Sequence, residues 1–444
     1  MYLLILVSTL TFLYCFSRST AAQQEVGGPA WPSDFLTVKV HNYETRLSYD
    51  ETKVHHQAKE RIQGWQVVRG DKAYGFLSMH QYQLATGGHY YFLRYLPTVT
   101  EAEDVELSLP IILTDYEFRT LVYPQGLDVT KSVWSEPVSA KLGDDLPTSA
   151  LYVDDLLGSY FFSYVDVFKR QEYQVKQELY PLARSIRFTE TGLALRFPHL
   201  QKGMVEQWGI LSQEPLVDWT NQTSMEDVRI ADLNRVRKWS QEGVFYQTPT
   251  SYYPTSPTSF YLNPAHHIGE KFLRTTGGKI FDHVALVSLY TASRMQNERG
   301  YWYTTPRSEW LYREYGIPNT FYDTRFSTDA ALFLLKGYRR FKDPLFLEAA
   351  RRYGDFFYQF AHSHHFKTLR GGFLVWDYGH DLLPHRPTHV SLNHLVTEMN
   401  FLYELYKETR EPKYLQLAHQ IKLAVQDTAY DWKKETNGDL WYAY

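Results

Sequence analysis

The first half of the chain alternates apolar and polar residues in short runs. Residues 65–69, 89–95 and 118–123 show this pattern, and turn-forming residues such as those at 86–88 separate the runs. A period of two places successive side chains on opposite faces of a strand. The pattern therefore predicts an all-β domain, a sandwich or a barrel, over residues 30–215.

After Tyr261 the apolar period changes to that of amphipathic helices. Residues 216–260 show neither period clearly, and we predict a linker that crosses between two domains, with a helix at 230–239 as one option. Ser327 or Thr328 is the expected N-cap of the second helix of the later part. The predicted helices cover residues 282–295, 327–341, 345–360, 391–406 and 413–425.

An internal repeat organises the helical half. Residues 343–350 recur as 411–418, with proline, an aromatic residue, leucine and alanine in matching places, and 372–378 are echoed by 438–444. One helical hairpin cannot bury its apolar face alone, so repeated hairpins must pack side by side. We therefore predict an incomplete (α/α) toroid over residues 261–444, whose loops meet at one end.

The N-terminus reads as an export signal. Residues 2–16 are almost wholly apolar, and Thr20-Ala21-Ala22 offers a small-residue cleavage site. We predict a signal peptide over 1–22 and a secreted or cell-surface protein, with a membrane tether through residues 2–16 as the alternative. Cys15 is the only cysteine, so the mature protein would hold no disulfide and no cysteine metal site.

Composition narrows the class of partner. The chain has 46 basic and 50 acidic residues, which gives no electrostatic support for a nucleic-acid partner. Its 36 Tyr, 26 Phe and 11 Trp supply flat apolar faces that suit sugar rings, although such residues also fill cores. No GxSxG, HExxH or Walker motif is present. A homodimer is left open.

Residues that suit an acidic sugar collect in the loops and helix starts of the helical half. Arginine pairs with carboxylates, and asparagine and histidine bind hydroxyls. Each tyrosine here could instead be a core residue with a hydrogen-bonded hydroxyl and no role in a site. Arg325 could instead form an i,i+4 ion pair with Asp329. We predict no metal or cofactor, because the histidines at 362, 364 and 365 follow a helix end, where they favour the dipole. The loop residues are Tyr303, Tyr322, Arg325, Tyr378, His380, Arg386, His389, Asn393 and Tyr442.

These loops resemble the C-terminal family of the glucuronyl C5-epimerases. Pro384-x-x-Pro387 followed by Leu392-Asn393 is similar to the family's P-x-x-P-S-S-x-x-L-N at a helix start. The loop around Tyr322 and the strand Gly438–Tyr442 also resemble family segments. The resemblance implies a β domain before an incomplete (α/α) barrel, a uronate-polysaccharide substrate and tyrosine-mediated proton exchange at C5. A third family tyrosine and an arginine beyond that strand have no counterpart before Tyr444.

The resemblance leads to one expected function with two alternatives. We expect an isomerase that inverts C5 of D-glucuronosyl residues. Its catalytic pair would be Tyr322 and Tyr442, with Tyr378 or His380 as substitutes. A uronate polysaccharide lyase and a non-catalytic glycan-binding protein are the alternatives. The residues expected to hold the substrate are Arg325 and Arg386 on the carboxylate, His389 and Asn393 on hydroxyls, and Tyr303 and His380 beside them.

Overall fold

The computed structural model describes residues 34–113, 115–434 and 439–443. The predicted signal peptide, Cys15, Gly438 and Tyr444 lie outside the described residues. Within those residues, no helix combines the length and the apolar character needed to cross a bilayer.

Strands dominate up to residue 262, and all α-helices of the described chain begin after residue 221. The strands are β1 (Lys39–Val40), β2 (Glu44–Val54), β3 (Ala58–Arg69), β4 (Lys72–Leu84), β5 (Gly88–Pro97), β6 (Val105–Leu109), β7 (Asp115–Arg119), β8 (Leu121–Val122), β9 (Val133–Trp134), β10 (Val138–Lys141), β11 (Leu151–Asp154), β12 (Ser159–Phe162), β13 (Asp166–Arg170), β14 (Lys176–Glu178), β15 (Arg187–Thr189), β16 (Gly192–Phe197), β17 (Gly203–Ser212), β18 (Lys238–Ser240), β19 (Gly243–Gln247), β20 (Tyr252–Tyr253), β21 (Ser259–Leu262), β22 (Tyr303–Thr304), β23 (Arg307–Ser308), β24 (Phe321–Asp323), β25 (His365–Lys367), β26 (Phe373–Val375) and β27 (Tyr378–Gly379). The helices are α1 (Gln222–Ala231), α2 (His267–Arg274), α3 (Lys279–Met295), α4 (Glu309–Tyr315), α5 (Thr324–Phe341), α6 (Pro344–Ser363), α7 (Leu392–Thr409) and α8 (Pro412–Asp427).

Two antiparallel sheets form the first part of the molecule. The larger has 14 strands and branches at β17, which continues through β5, β4, β3 and β2 on one path. The smaller has four strands in the order β1-β6-β16-β15. Alternate residues of both sheets, such as Leu93, Val205, Leu107 and Leu195, are buried in one shared core. This pairing of two apolar sheet faces confirms the predicted β-rich region.

The other face of the large sheet packs against helix α3. Tyr82 of the sheet stacks on Tyr290 of α3 with ring centroids 5.6 Å apart. The Tyr290 hydroxyl donates to Asp343 Oδ2 at 2.7 Å and accepts from the backbone N–H of Gln57 at 3.1 Å. One buried phenol thus joins the sheet, α3 and the turn between α5 and α6.

The helical part is built from the repeated hairpins. Pro344 and Pro412 each occupy the first turn of the second helix, where proline's missing N–H costs nothing. Helix α5 packs on α6 and on α7, and α7 packs on α8. Gly354 lets α6 approach α7, because a Cβ there would lie 2.3 Å from Leu405 Cδ2. A β-rich region followed by helices is therefore confirmed, and closure into a toroid stays a prediction.

Three local predictions need correction. Helix α5 begins at Thr324, before Ser327, because the Asp323 side chain accepts the N–H of Phe326 and caps it. The helix expected at 230–239 lies instead at 222–231, since Asp232 adopts a left-handed φ of 43° and ends it. The segment predicted as a linker also contributes strands β18, β19 and β21 to the large sheet.

Candidate functional site

A three-stranded sheet, β22-β24-β27, brings three of the predicted loops together at the starts of α5 and α7. Tyr303 lies opposite Tyr322, and Asp323 lies opposite Tyr378. Directly opposed residues of an antiparallel pair share a face, and consecutive residues point to opposite faces. The sheet therefore separates Tyr322 and Tyr303 from Asp323 and Tyr378.

The face that carries Tyr322 is closed to solvent. Tyr322 is only 1% exposed, and its hydroxyl forms a 3.0 Å hydrogen bond with that of Tyr353. Its ring contacts Phe356 and Phe360, each at 4.9 Å between centroids. Burial raises the pKa of Tyr322 well above its ordinary value. A neutral, sealed phenol cannot take a proton from a sugar, so the structure removes Tyr322 from the catalytic set.

Tyr303 and His380 belong to a separate cluster around Asp381. The hydroxyl of Tyr303 donates to Asp381 Oδ2 at 3.1 Å, and Tyr301 and Arg299 bind the same carboxylate. His380 Nδ1 accepts the backbone N–H groups of residues 382 and 383, both at 3.1 Å. His380 thus holds its own turn, and neither residue is brought to the face of Tyr378.

Beside Tyr378, a line of polar contacts joins the side chains of Asp377, His389 and Tyr315. Asp377 is fully buried, and its carboxylate accepts the Ser391 N–H at 2.9 Å and the Ser391 hydroxyl. His389 Nε2 lies 3.2 Å from Asp377 Oδ2, and His389 Nδ1 lies 3.0 Å from the hydroxyl of Tyr315. The nearby carboxylate favours the tautomer of His389 with its proton on Nε2, and Nδ1 is then the nitrogen that accepts from the Tyr315 hydroxyl.

Aromatic rings flank this line. The Trp310 ring, 45% exposed, lies 5.0 Å from the ring of His389. The half-buried ring of Tyr378 lies 5.7 Å from His389 and 6.5 Å from Trp310. Burial raises the pKa of Tyr378, and the nearby carboxyls of Asp323 and Asp377 raise it further. Tyr378 is therefore a neutral wall and hydrogen-bond donor at neutral pH.

Four further predicted residues lie around the same place. The Tyr442 carbonyl accepts the N–H of Leu392 at 3.3 Å, and its exposed ring lies near enough to Tyr378 to affect the pKa of that phenol. Asn393 is exposed at the start of α7, and its carbonyl lies 3.5 Å from an Arg325 guanidinium nitrogen. The fourth residue is Arg386.

The two arginines are held differently. Arg325 Nε pairs with Asp329 at 2.9 Å, as the i,i+4 alternative predicted. Arg386 is exposed and donates to the carbonyl of Arg313 at 2.8 Å, and its own N–H donates to the Tyr315 carbonyl at 2.9 Å. Arg386 is without an acidic partner among the described residues and lies beside Tyr315, so it is the better group for a substrate carboxylate.

Buried acids lie behind these groups. Burial raises the pKa of Asp323 to about 7, and the negative charge of Asp377 adds to the rise. Burial likewise raises the pKa of Glu398, on α7, well above its ordinary value. Burial lowers the pKa of His394 to about 4, although its Nδ1 lies 2.8 Å from the Thr324 hydroxyl and near Asp377. Three titratable groups with shifted pKa values therefore lie next to the line.

Tyr315 and Trp310 received no role from the sequence. Both lie on α4, whose seven residues are too few for a helical period to be recognised. In the sequence, an acid and a histidine that precede and follow β27, Asp377 and His389, are the residues from which this line could have been predicted. Among the described residues, no group of three or more His, Cys, Asp or Glu side chains is placed to hold a metal ion.

Comparison with known proteins does not assign this chain to a family. No protein-family model matches the chain, and no curated protein sequence matches it. One similar solved structure is a crystal structure of a family 76 glycoside hydrolase from a bovine Bacteroides thetaiotaomicron strain. It is 11% identical over 78% of this chain and 64% of that chain, with a TM-score of 0.34. A similarity this weak does not establish a fold or an activity.

The prediction of an isomerase is nevertheless corrected. The expected mechanism needs two tyrosine hydroxyls at one sugar ring, and that of Tyr322 is buried on the face of β24 that points away from Tyr378. The proton-transfer groups that the structure brings together are those of Asp377, His389 and Tyr315.

Proposed function

We propose that the protein cleaves a polysaccharide that contains acidic sugars, by β-elimination at the line Asp377–His389–Tyr315. The observation that carries this proposal is a pair of contacts. His389 Nε2 lies 3.2 Å from the buried Asp377 carboxylate, and His389 Nδ1 forms a 3.0 Å hydrogen bond with the half-exposed phenol of Tyr315. A base oriented by a buried carboxylate is the arrangement that proton abstraction requires.

The proposed step uses only groups of the protein and the substrate. His389 removes the proton of the Tyr315 hydroxyl, and the Tyr315 oxygen then removes the proton at C5 of a uronate. The electron pair of that C–H bond forms a C4–C5 double bond, and the C4–O bond breaks with its pair leaving on oxygen. The proton held by the protein then neutralises the leaving oxygen. Asp377 stabilises the imidazolium form of His389 in the meantime.

Arg386 and the aromatic rings would bind the substrate. A guanidinium on the C5 carboxylate neutralises the charge that develops there as an enolate. Trp310 and Tyr378 provide flat faces for the sugar ring, and Tyr442 and Asn393 are exposed beside them. The resemblance of residues 384–393 to the glucuronyl C5-epimerase C-terminal family supports a uronate as the substrate class.

The same resemblance supports the finer description of the fold. Helices α3, α5 and α7 contact one another in succession, and α6 contacts α8. A double row of this kind supports the proposal that the helices form part of an incomplete (α/α) toroid.

Hydrolysis is the second candidate, and Asp323 is the observation that favours it. With a pKa of about 7, this carboxyl is half protonated at neutral pH, as a general acid must be. It shares the face of Tyr378. Its Oδ1 accepts the Phe326 N–H at 3.0 Å and it is 5% exposed, so a substrate reaches it less readily than Tyr315.

One experiment separates the candidates. The protein is incubated with uronate polymers and with neutral glucans, and both ultraviolet absorbance of unsaturated uronate and new reducing ends are measured. Absorbance that rises with reducing ends supports elimination, and reducing ends alone support hydrolysis. His389→Ala should abolish the reaction, while His419→Ala, an exposed histidine on α8, should leave it unchanged. Binding without cleavage of any polymer would refute both candidates.

A further inference from the structure

A row of aromatic and cationic side chains leads away from the site along α4. Tyr312 lies on this helix with Trp310 and is half exposed. The Arg307 guanidinium lies between the rings of Tyr312 and Tyr253, 5.1 Å from each centroid. Strands β20 and β23 hold this arrangement, because Tyr253 lies opposite Arg307. Glu309 accepts from Arg307 Nε at 2.8 Å and neutralises its charge, so the aromatic faces are what this part of the row offers a sugar ring.

The row continues onto the β-rich region through a strained turn. The rings of Tyr253 and Tyr173 lie 6.4 Å apart. Tyr173 and the next residue, Gln174, both adopt left-handed backbone, with φ of 54° and 61°. Two consecutive residues other than glycine in this region are costly, and such strain is kept where a side chain must be presented in a fixed place. Here it presents the Tyr173 ring toward Tyr253.

Gln174 also lines a cavity of about 720 Å³ on the far side of that turn. The cavity wall carries Arg170, Lys202 and the buried Lys176, together with one acid, Glu242, which is paired with Arg94. Lys176 is neutralised by Glu206, with both carboxylate oxygens at 2.9 Å. Arg170 and Lys202 are exposed, and neither has an acidic partner within the part of the chain that the structure describes. Two cations in a concave wall, free of partners, attract an anion.

We propose that these features form one extended binding track for an acidic polysaccharide. The chain would run from Trp310 over Tyr312, Arg307 and Tyr253 to the cavity wall at Arg170 and Lys202. The inference rests on the proposed function for its substrate class and adds where the rest of the polymer lies. Because only a polymer several sugars long could contact Trp310 and the cavity wall at the same time, the track favours long chains over short oligosaccharides.

Binding measurements on the intact protein test the track. Affinity for a long glucuronate polymer is measured by calorimetry for the wild type, for Arg170→Ala/Lys202→Ala and for Tyr253→Ala. Loss of two exposed charge contacts should weaken binding about threefold to tenfold and reduce its salt dependence. A disaccharide and a neutral glucan should show no change. Lys59→Ala/Lys131→Ala, two exposed cations elsewhere, is the matched control.

Failure of the track and failure of the proposed reaction give different results. Unchanged affinity in both test variants, with cleavage still abolished by His389→Ala, would overturn the track and keep the reaction. Weaker binding of the long polymer in those variants supports the track even where no polymer is cleaved. If cleavage occurs, the double variant should raise KM and leave kcat unchanged, because its side chains touch no reacting atom.

Discussion

Replacing Asp323 by asparagine tests the electrostatics of the candidate site. Asp323 caps α5 by accepting the Phe326 N–H at 3.0 Å, and asparagine can accept the same bond. The substitution therefore keeps the cap and removes only the ability to ionise. Burial, with the negative charge of Asp377, raises the pKa of this carboxyl from its ordinary 3.8 to about 7.

The raised pKa fixes the sign and size of the effect. A carboxyl whose pKa is higher in the folded protein binds its proton more tightly there. Stability is therefore lost as pH rises from the unfolded pKa to the folded one, and the full penalty remains above pH 7. The shift corresponds to about 4 kcal/mol at most, at 1.36 kcal/mol for each pKa unit. Between about pH 5 and pH 8, the wild type should lose about 3 kcal/mol relative to Asp323→Asn.

Urea denaturation, followed by tryptophan fluorescence across this pH range, measures the difference. Asp128→Asn is the matched control, because Asp128 also caps a helical turn through the Thr130 N–H but is exposed. Its hydrogen bonds lower the pKa of Asp128, so its contribution is lost only as pH falls. Parallel curves for the wild type and Asp323→Asn from pH 5 to 8 would show that Asp323 ionises freely, and would refute the reasoning.

Three other substitutions test the site and the packing. Tyr322→Phe should cost about 1 kcal/mol in urea denaturation and leave cleavage intact, and loss of cleavage would restore Tyr322 to the site. Tyr290→Phe should lower the free energy of unfolding by about 1–3 kcal/mol, since it removes a hydrogen bond to the Asp343 carboxylate. An unchanged urea midpoint would show that this bond does not stabilise the contact between the sheet and α3. Gly337→Ala should lower the free energy of unfolding in urea by about 1–3 kcal/mol, because its Cβ would lie 2.3 Å from Leu289 Cδ2. An unchanged free energy of unfolding would mean that the Leu289 side chain on α3 moves aside.

Much of the fold is readable from periodicity because single elements are long. Strands β3, β4 and β5 are 12, 13 and 10 residues long, and the predicted runs at 65–69 and 89–95 lie inside β3 and β5. The five predicted helices all exist, and each agrees with the structure to within a few residues at its ends. The acid-proline pairs at 343 and 411 mark helix starts by local chemistry alone.

Short elements were not predictable, because tertiary pairing decides them. Helices α2 and α4 have eight and seven residues, and β18 has three. Lys238 of β18 reads as a surface residue, yet it is fully buried and binds Asp166 at 3.0 Å and Glu178 at 2.7 Å. Only the pairing of distant strands brings these charges together, and nothing in the local sequence announces it.

The candidate site shows the same division between local and distant information. The loops that the sequence singled out do lie near one another, and they bring Tyr378, His389, Arg386 and Tyr442 to one place. Within β24 the sequence favoured Tyr322 over Asp323, because a strand of three residues has no period that shows which side chains share a face. The pairing of β24 with β27 places Asp323, and not Tyr322, on the same face as Tyr378. Residue type alone therefore finds a site, and strand register assigns its chemistry.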